Sequence, residues 1–348
     1  MKYLVIFHLI ILTVFTSLSA KSEISLHDHY LNMKPSLMED DWRIHDPSRV
    51  INFNQGQLIA VTGKAQEDGY KCGLELWFRE NISSDWQPYE CLFINKPDWI
   101  KDEVPDNDGA YWAPEIINEK KILYSVASNF EDGEVSCTAL AVKNEISDEW
   151  VDSGEPLTCT NKELVDYDYE SIDPSFIVSP NGKTFLITGG GLIHGTQVDP
   201  KTFRPLSGDW FSYEDPSWKI LARGPKIEDE FDWVEAAYIY FKDDFYYLFV
   251  NWGSCCRGVE SDYNIRVGRS RNPLGPFLDK KGLDLSEGGG SLVLKSEENI
   301  RGPGHASIWI DNKGYFLAFH YYDSNRDGMS FHGEYNLLWV NGWPKINH

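Results

Sequence analysis

A short pattern recurs five times along the chain. Each copy is an extended run, a turn and a second hydrophobic run. The copies begin at His45-Asp46-Pro47-Ser48, Trp112-Ala113-Pro114-Glu115, Ile172-Asp173-Pro174-Ser175, Val234-Glu235-Ala236-Ala237 and Gly304-His305-Ala306-Ser307. The runs that follow include Leu58-Ile59-Ala60-Val61, Ile122-Leu123-Tyr124 and Tyr246-Tyr247-Leu248-Phe249-Val250. Aligned on Asp46, Ala113, Asp173, Glu235 and His305, successive copies lie 67, 60, 62 and 70 residues apart. A near-constant period in a chain rich in strand formers predicts a β-propeller with one four-stranded sheet per repeat. The expectation is therefore an all-β, five-bladed β-propeller. Equivalent positions on the innermost strands would meet around one axis, gathering two aspartates, a glutamate and a histidine.

The repeats leave no room for a second domain. Residues 1–20 read as a signal peptide: Lys2 supplies a positive start, and Leu4 to Leu18 is an apolar run too short to span a membrane. Small residues allow a cut after Ser19 or after Ala20. The mature chain, 21–348, is expected to be one propeller domain, secreted and monomeric. The formal net charge of −22 argues against nucleic acid and anionic membranes as partners. Aromatic residues make up 14% of the chain. They fill sheet packing first, and they also suit the apolar faces of sugar rings.

Six cysteines allow 15 pairings. Cys72 with Cys91 and Cys137 with Cys159 would each close a loop inside one repeat, as expected in an oxidising compartment. The adjacent Cys255 and Cys256 either form a vicinal bridge or stay as buried thiols. Asn81-Ile82-Ser83 is an N-glycosylation acceptor sequence. Turn clusters at Asn54-Gln55-Gly56, Asn181-Gly182 and Asp243-Asp244 fall at one place in each repeat, as hairpins between first and second strands would require. No stretch shows sustained helical periodicity.

A lone Asp-Pro is usually a turn at a strand start. Two copies in matching repeat positions, with Glu235 in a third, point instead to an axial cavity holding three carboxylates. Their mutual repulsion raises at least one pKa. Glycoside hydrolysis needs that separation: one acid to protonate the leaving oxygen, one carboxylate to activate water or attack the sugar. Glu235, flanked by Trp233, Val234, Ala236 and Ala237, is the candidate acid. Asp46, beside His45 and Ser48, is the candidate base. Asp173 would orient Glu235 and tune it. Glu115, two places past the column, faces elsewhere and is structural or supports the site from behind. His305 is either a core histidine or an axial group holding a metal, with water completing the shell.

With these residues in hand, the chain resembles glycoside hydrolase family 43, and within it the secreted α-1,5-L-arabinanases. The likeness runs from about Trp42 to Asp323. It rests on His45-Asp46-Pro47-Ser48, Tyr111-Trp112-Ala113-Pro114-Glu115-Ile116, Ile172-Asp173-Pro174, Glu235-Ala236, Cys255-Cys256-Arg257-Gly258, Val267-Gly268-Arg269-Ser270 and Gly302-Pro303-Gly304-His305. The resemblance implies Asp46 as general base, Glu235 as general acid and Asp173 as pKa modulator, with inversion at the anomeric carbon. It implies an axial calcium held through His305 and waters. It implies sugar contacts from Trp112, His45 and Arg257. The substrate implied is arabinan or the arabinan side chains of pectin. One departure stands out. Gly189-Gly190-Gly191-Leu192-Ile193-His194-Gly195 replaces a stretch that carries an aromatic platform in many arabinanases, which bears on endo versus exo action. The competing readings are an exo-acting α-L-arabinofuranosidase or β-xylosidase of the same family, and a sugar-binding propeller without catalysis.

Overall fold

The computed structural model describes residues 44–63, 72–93, 96–105, 107, 109, 111–128, 135–160 and 169–347. The signal-peptide segment lies outside them. Blade I is β1 (Ile51–Phe53), β2 (Gly56–Thr62), β3 (Leu74–Arg79) and β4 (Gln87–Cys91). Blade II is β5 (Trp112–Asn118), β6 (Lys121–Ala127), β7 (Ser136–Lys143) and β8 (Trp150–Asp152), with β9 (Thr158–Cys159) added along β7. Blade III is β10 (Ser175–Val178), β11 (Thr184–Thr188), β12 (Leu192–Val198) and β13 (Lys219–Arg223). A hairpin of β14 (Lys226–Ile227) and β15 (Glu230–Phe231) follows, in the charged segment before Glu235, and its residues are exposed. Blade IV is β16 (Val234–Lys242), β17 (Phe245–Trp252), β18 (Asn264–Ser270) and β19 (Ser291–Lys295). Blade V is β20 (Ile300–Asp311), β21 (Gly314–Asp323), β22 (Met329–Val340) and β23 (Trp343–Asn347). The fold is the expected five-bladed propeller. The helix α1 (Asp98–Glu103) buries Trp99 and Ile100, and is too short to give a periodic signal.

Asn54-Gln55 and Asp243-Asp244 both turn with positive φ, the geometry that matches a tight hairpin to the twist of its strands. The strands then pair in antiparallel register, Ile51 with Leu58 in blade I and Ile239 with Leu248 in blade IV. Apolar residues of adjoining blades interlock. Leu58, Leu74 and Leu76 pack with Ile116, Ile122 and Tyr124 between blades I and II. Phe185, Ile187 and Ile193 pack with Val234, Ile239 and Leu248 between blades III and IV.

A second repeated feature fixes the axis. Asp46, Ala113, Asp173, Ala236 and His305 all have φ between 45° and 56°, a left-handed kink that in blades II, IV and V falls at a register shift within the innermost strand. Four of their N–H groups donate to a side chain on the preceding blade's second strand: Ala113 to Thr62, Asp173 to Ser125, His305 to Asn251 and Asp46 to His320. The kink thus leaves each N–H paired across a blade boundary, as buried backbone groups require.

This corrects one register. In blade IV the kinked residue is Ala236, so Glu235 lies one place before the column rather than in it. The pairing of Tyr238 with Phe249 matches that of Ser175 with Ile187 and Ser307 with Ala318, and confirms the shift.

Every blade is built from consecutive strands. Among the described residues the ring closes without a shared strand, and side chains, with one long backbone hydrogen bond from Ile44 N–H to the Ser330 carbonyl at 3.5 Å, carry the seam between blades V and I. Arg79 pairs with Glu334 at 2.7 Å, and Trp86 Nε1 donates to His332 Nδ1 at 3.0 Å. Ile44, Val50, Ile59 and Trp77 pack against Trp309 and Phe316. Disulfides join Cys72 to Cys91, Cys137 to Cys159 and Cys255 to Cys256, so the adjacent pair is a vicinal bridge.

Candidate active site

A cleft of about 430 Å³ opens over the axis. His45, Asp46, Trp112, Asp173 and Glu235 all line it. So do Thr62, Glu170, Trp233, Tyr263 and the Cys255–Cys256 bridge, none of which the sequence had assigned to the site.

Asp46 is the most tightly held of the carboxylates. Thr62 Oγ1 donates to its Oδ2 at 2.7 Å. His45 Nδ1 also reaches Oδ2 at 2.9 Å, a close contact that is bent rather than linear. Its Oδ1 has only longer approaches, 3.5 Å to His305 Nδ1 and 3.4 Å to His320 Nδ1. Burial alone would push this carboxyl up. The surrounding imidazoles of His45, His320 and His305 outweigh burial and hold it well below the ordinary carboxylate value. Asp46 is therefore an anion at neutral pH.

Glu235 is in the opposite state. Burial raises its pKa to about 7, and the Asp46 anion adds to the shift. Trp233 works against it: the indole Nε1 donates to Glu235 Oε2 at 2.8 Å, which favours the ionised form. The apolar character read for Trp233 from the sequence is thus corrected, because its polar edge is what meets the acid. The indole lies over Gly190, where a Cβ would come within 3.1 Å of Trp233 Cζ2 and 3.0 Å of Ile172 Cδ1. The glycine run at 189–191 leaves room for this tryptophan.

Asp173 is buried, and its Oδ2 accepts the Ala236 N–H at 2.8 Å. Burial first, then repulsion from Glu235 and Asp46, raises its pKa well above the ordinary value. Glu170, also buried, adds to the same repulsion.

Glu115 is absent from the cleft lining. It is buried in an ion pair with Arg49, whose guanidinium stacks over Phe176 at 4.2 Å and donates to the Phe176 carbonyl, so the pair ties blades I, II and III together. Arg257 does not join the cleft either. Its exposed guanidinium turns to Glu260 at 3.5 Å. His305 sits at the axis beside Asp46.

The residues around the axis bear on a metal. His45, Asp46 and His320 bring ligand atoms within 4.8 Å of one another. The His320 Nδ1 is taken by the Asp46 N–H, and His45 is engaged by Tyr322 and Asp46. His305 remains as the available imidazole, and burial lowers its pKa, which keeps it neutral at pH 7. One neutral imidazole beside one carboxylate fits a water-rich cation site. A calcium bound there would take most of its oxygen ligands from solvent.

Comparison with known proteins agrees with this geometry. The family model described as glycosyl hydrolases family 43 matches residues 83–344. An extracellular exo-α-(1→5)-L-arabinofuranosidase of Cellvibrio japonicus is 31% identical across 76% of this chain and 77% of its own. Extracellular endo-α-(1→5)-L-arabinanase 1 of Bacillus subtilis is 29% identical across 86% of this chain and 87% of its own. The structure of Cellvibrio cellulosa α-L-arabinanase complexed with arabinohexaose superposes with a TM-score of 0.72 at 25% identity, covering 87% of this chain and 95% of that one.

Proposed function

The chain belongs to glycosyl hydrolases family 43, and from that membership we propose that it is a secreted, inverting endo-arabinanase acting on α-1,5-linked L-arabinofuranosyl chains in arabinan and pectic side chains. The observation that carries the mechanism is the opposite displacement of two carboxyls in one cleft. Asp46 is held ionised, while Glu235 keeps its proton to about pH 7. Glu235 gives its proton to the glycosidic oxygen as the bond to the anomeric carbon breaks. Asp46 takes a proton from a water molecule, whose oxygen bonds to that carbon from the opposite face. Asp173 holds the backbone beside Glu235 in place, and Trp112 and His45 line the cleft where a sugar would lie. A calcium held by His305 would add positive charge next to Asp46 and favour its anion.

Secretion is supported by the relatives named extracellular and by the three disulfides, which suit an oxidising compartment. Exo action is the second reading. It is favoured by the exo-acting relative of Cellvibrio japonicus.

Linear debranched arabinan tests the proposal. Proton NMR of the first product should show an inverted anomer, and viscosity should fall before reducing ends accumulate. A retained first product would overturn the mechanism. Early release of arabinose or one fixed oligomer would replace endo with exo action.

A further inference from the structure

Tyr322 is only 2% exposed and was not singled out by the repeats, yet two parts of the site converge on its hydroxyl. The Cys256 N–H donates to it at 2.7 Å. His45 Nε2 meets it at 2.7 Å. The Asp46 anion, its Oδ2 2.9 Å from His45 Nδ1, favours the tautomer with the hydrogen on Nδ1, which leaves Nε2 to accept the Tyr322 hydroxyl hydrogen while the Tyr322 oxygen accepts from the Cys256 N–H. His320, two residues earlier on β21 and so on the same side of the strand, stacks on the His45 ring at 4.1 Å and fixes its plane.

The starting point of this chain is unusual. The Cys255–Cys256 bridge closes a small ring with its own peptide bond and lines the cleft, and Cys256 has φ of 64°. Such a ring leaves the Cys256 N–H little freedom of direction. The other two bridges join separate strands or loops within blades and make no comparable contact with the site.

We propose that Tyr322 and the vicinal Cys255–Cys256 turn are a positioning unit for Asp46. The turn fixes the Tyr322 hydroxyl, the hydroxyl fixes the edge of the His45 ring, and the ring sets the plane of the Asp46 carboxylate. This rests on the reading of Asp46 as the general base. Its consequence is specific. The base needs one oxygen aimed at a water on the far side of the sugar, and a rotated carboxylate costs rate without costing affinity. The unit spans blades I, IV and V, so it also registers the loop after β17 against the first strand of the ring.

The test compares steady-state kinetics on linear arabinan, with folding checked by thermal melts. Tyr322→Phe keeps the ring and removes only the hydroxyl. Its kcat should fall roughly 2- to 10-fold, the rate equivalent of one neutral hydrogen bond, with KM little changed. Cys255→Ser with Cys256→Ser should lower kcat by a smaller factor. Adding Tyr322→Phe to that pair should cost no more than Tyr322→Phe alone, because both act through one chain of contacts. Asp46→Asn is the reference and should abolish turnover. Wild-type kcat in Tyr322→Phe, with Asp46→Asn inactive, would overturn the positioning unit and leave the base assignment standing. Independent, multiplying losses would cut the disulfide turn out of it. Normal turnover in Asp46→Asn would overturn both readings. If Tyr322→Phe does not fold, the serine pair decides alone: unchanged kcat rejects the unit, and a kcat loss at constant KM supports it.

Discussion

The Asp173 carboxylate accepts the N–H of Ala236 at 2.8 Å, one residue past Glu235. At every other blade boundary the corresponding N–H goes to Thr62, Ser125, Asn251 or His320 on a second strand. In blade III that place is Gly189, which has no side chain to offer and whose own N–H donates to the Ile172 carbonyl. Asp173 therefore does structural duty that a neutral side chain performs elsewhere. In doing so it brings a second carboxyl against the acid.

The first prediction separates its two contributions. Asp173→Ala removes the acceptor and leaves a buried N–H unpaired, which should cost about 1–3 kcal/mol of stability. It should also lower kcat by about 100-fold through a displaced Glu235. Asp173→Asn keeps an acceptor oxygen and should lose much less. Equal losses in the two variants would show that charge, not the hydrogen bond, is what Asp173 supplies.

The pH profile follows from the two displaced carboxyls. Glu235 must be protonated to act, so kcat/KM should decline as pH rises through about 7. Asp46 must be ionised, and it is held low, so the acidic limb should lie below the ordinary carboxylate range. Trp233→Phe removes a hydrogen bond that favours ionised Glu235, and the alkaline limb should move to higher pH. A limb that stays in place or moves down would remove Trp233 from the acid's environment. Stability carries the same sign. A raised Glu235 favours folding below its unfolded pKa and loses that contribution as pH climbs through 7. Glu235→Gln should thus be inactive, yet melt higher than the parent at pH 8.

The five-blade architecture was legible because the kink at the axis has a sequence signature. Asp46-Pro47, Ala113-Pro114 and Asp173-Pro174 mark three of the five turns directly. Blade IV has Ala236-Ala237 there, with no proline, so nothing in the sequence anchors the register. Only the pairing of Tyr238 with Phe249 sets it, which is why Glu235 aligned one place out. Tyr322, Thr62 and Tyr263 were hidden for a different reason. They sit on second strands or in loops and reach the site only once the ring closes. The row Thr62, Ser125, Asn251 and His320 does repeat, but its members share polarity and not residue type. Arg257 follows the vicinal cysteines in a motif, and proximity in sequence did not carry its side chain into the cleft.

A cation at the axis makes the next prediction. If His305 holds calcium through mostly solvent oxygens, exhaustive chelation should lower the melting temperature or kcat, and added calcium should restore it. The shift should depend on free calcium as any ligand-linked stability does. In His305→Ala the melting curve should be indifferent to chelator and calcium alike. A full calcium response in that variant would place the ion elsewhere.

The seam between blades V and I makes the last. Among the described residues no strand crosses it, so the buried Arg79–Glu334 pair and the Trp86–His332 hydrogen bond carry what a shared strand would otherwise supply. Burial already raises the Glu334 pKa, and Arg79 opposes that rise. Arg79→Ala would leave the carboxylate buried and unpaired, a change that typically costs about 3–5 kcal/mol. The cost should be smaller at acidic pH, where Glu334 takes up a proton, and grow as pH rises through its raised pKa. Arg79→Met with Glu334→Leu exchanges the pair for apolar contacts and should recover most of the loss. Urea melts at pH 5 and pH 8 read all three cases. A single-variant loss that is the same at both pH values, or a double variant no better than the single, would mean that the apolar packing of Ile44, Trp77 and Trp309 closes the ring without the charge pair.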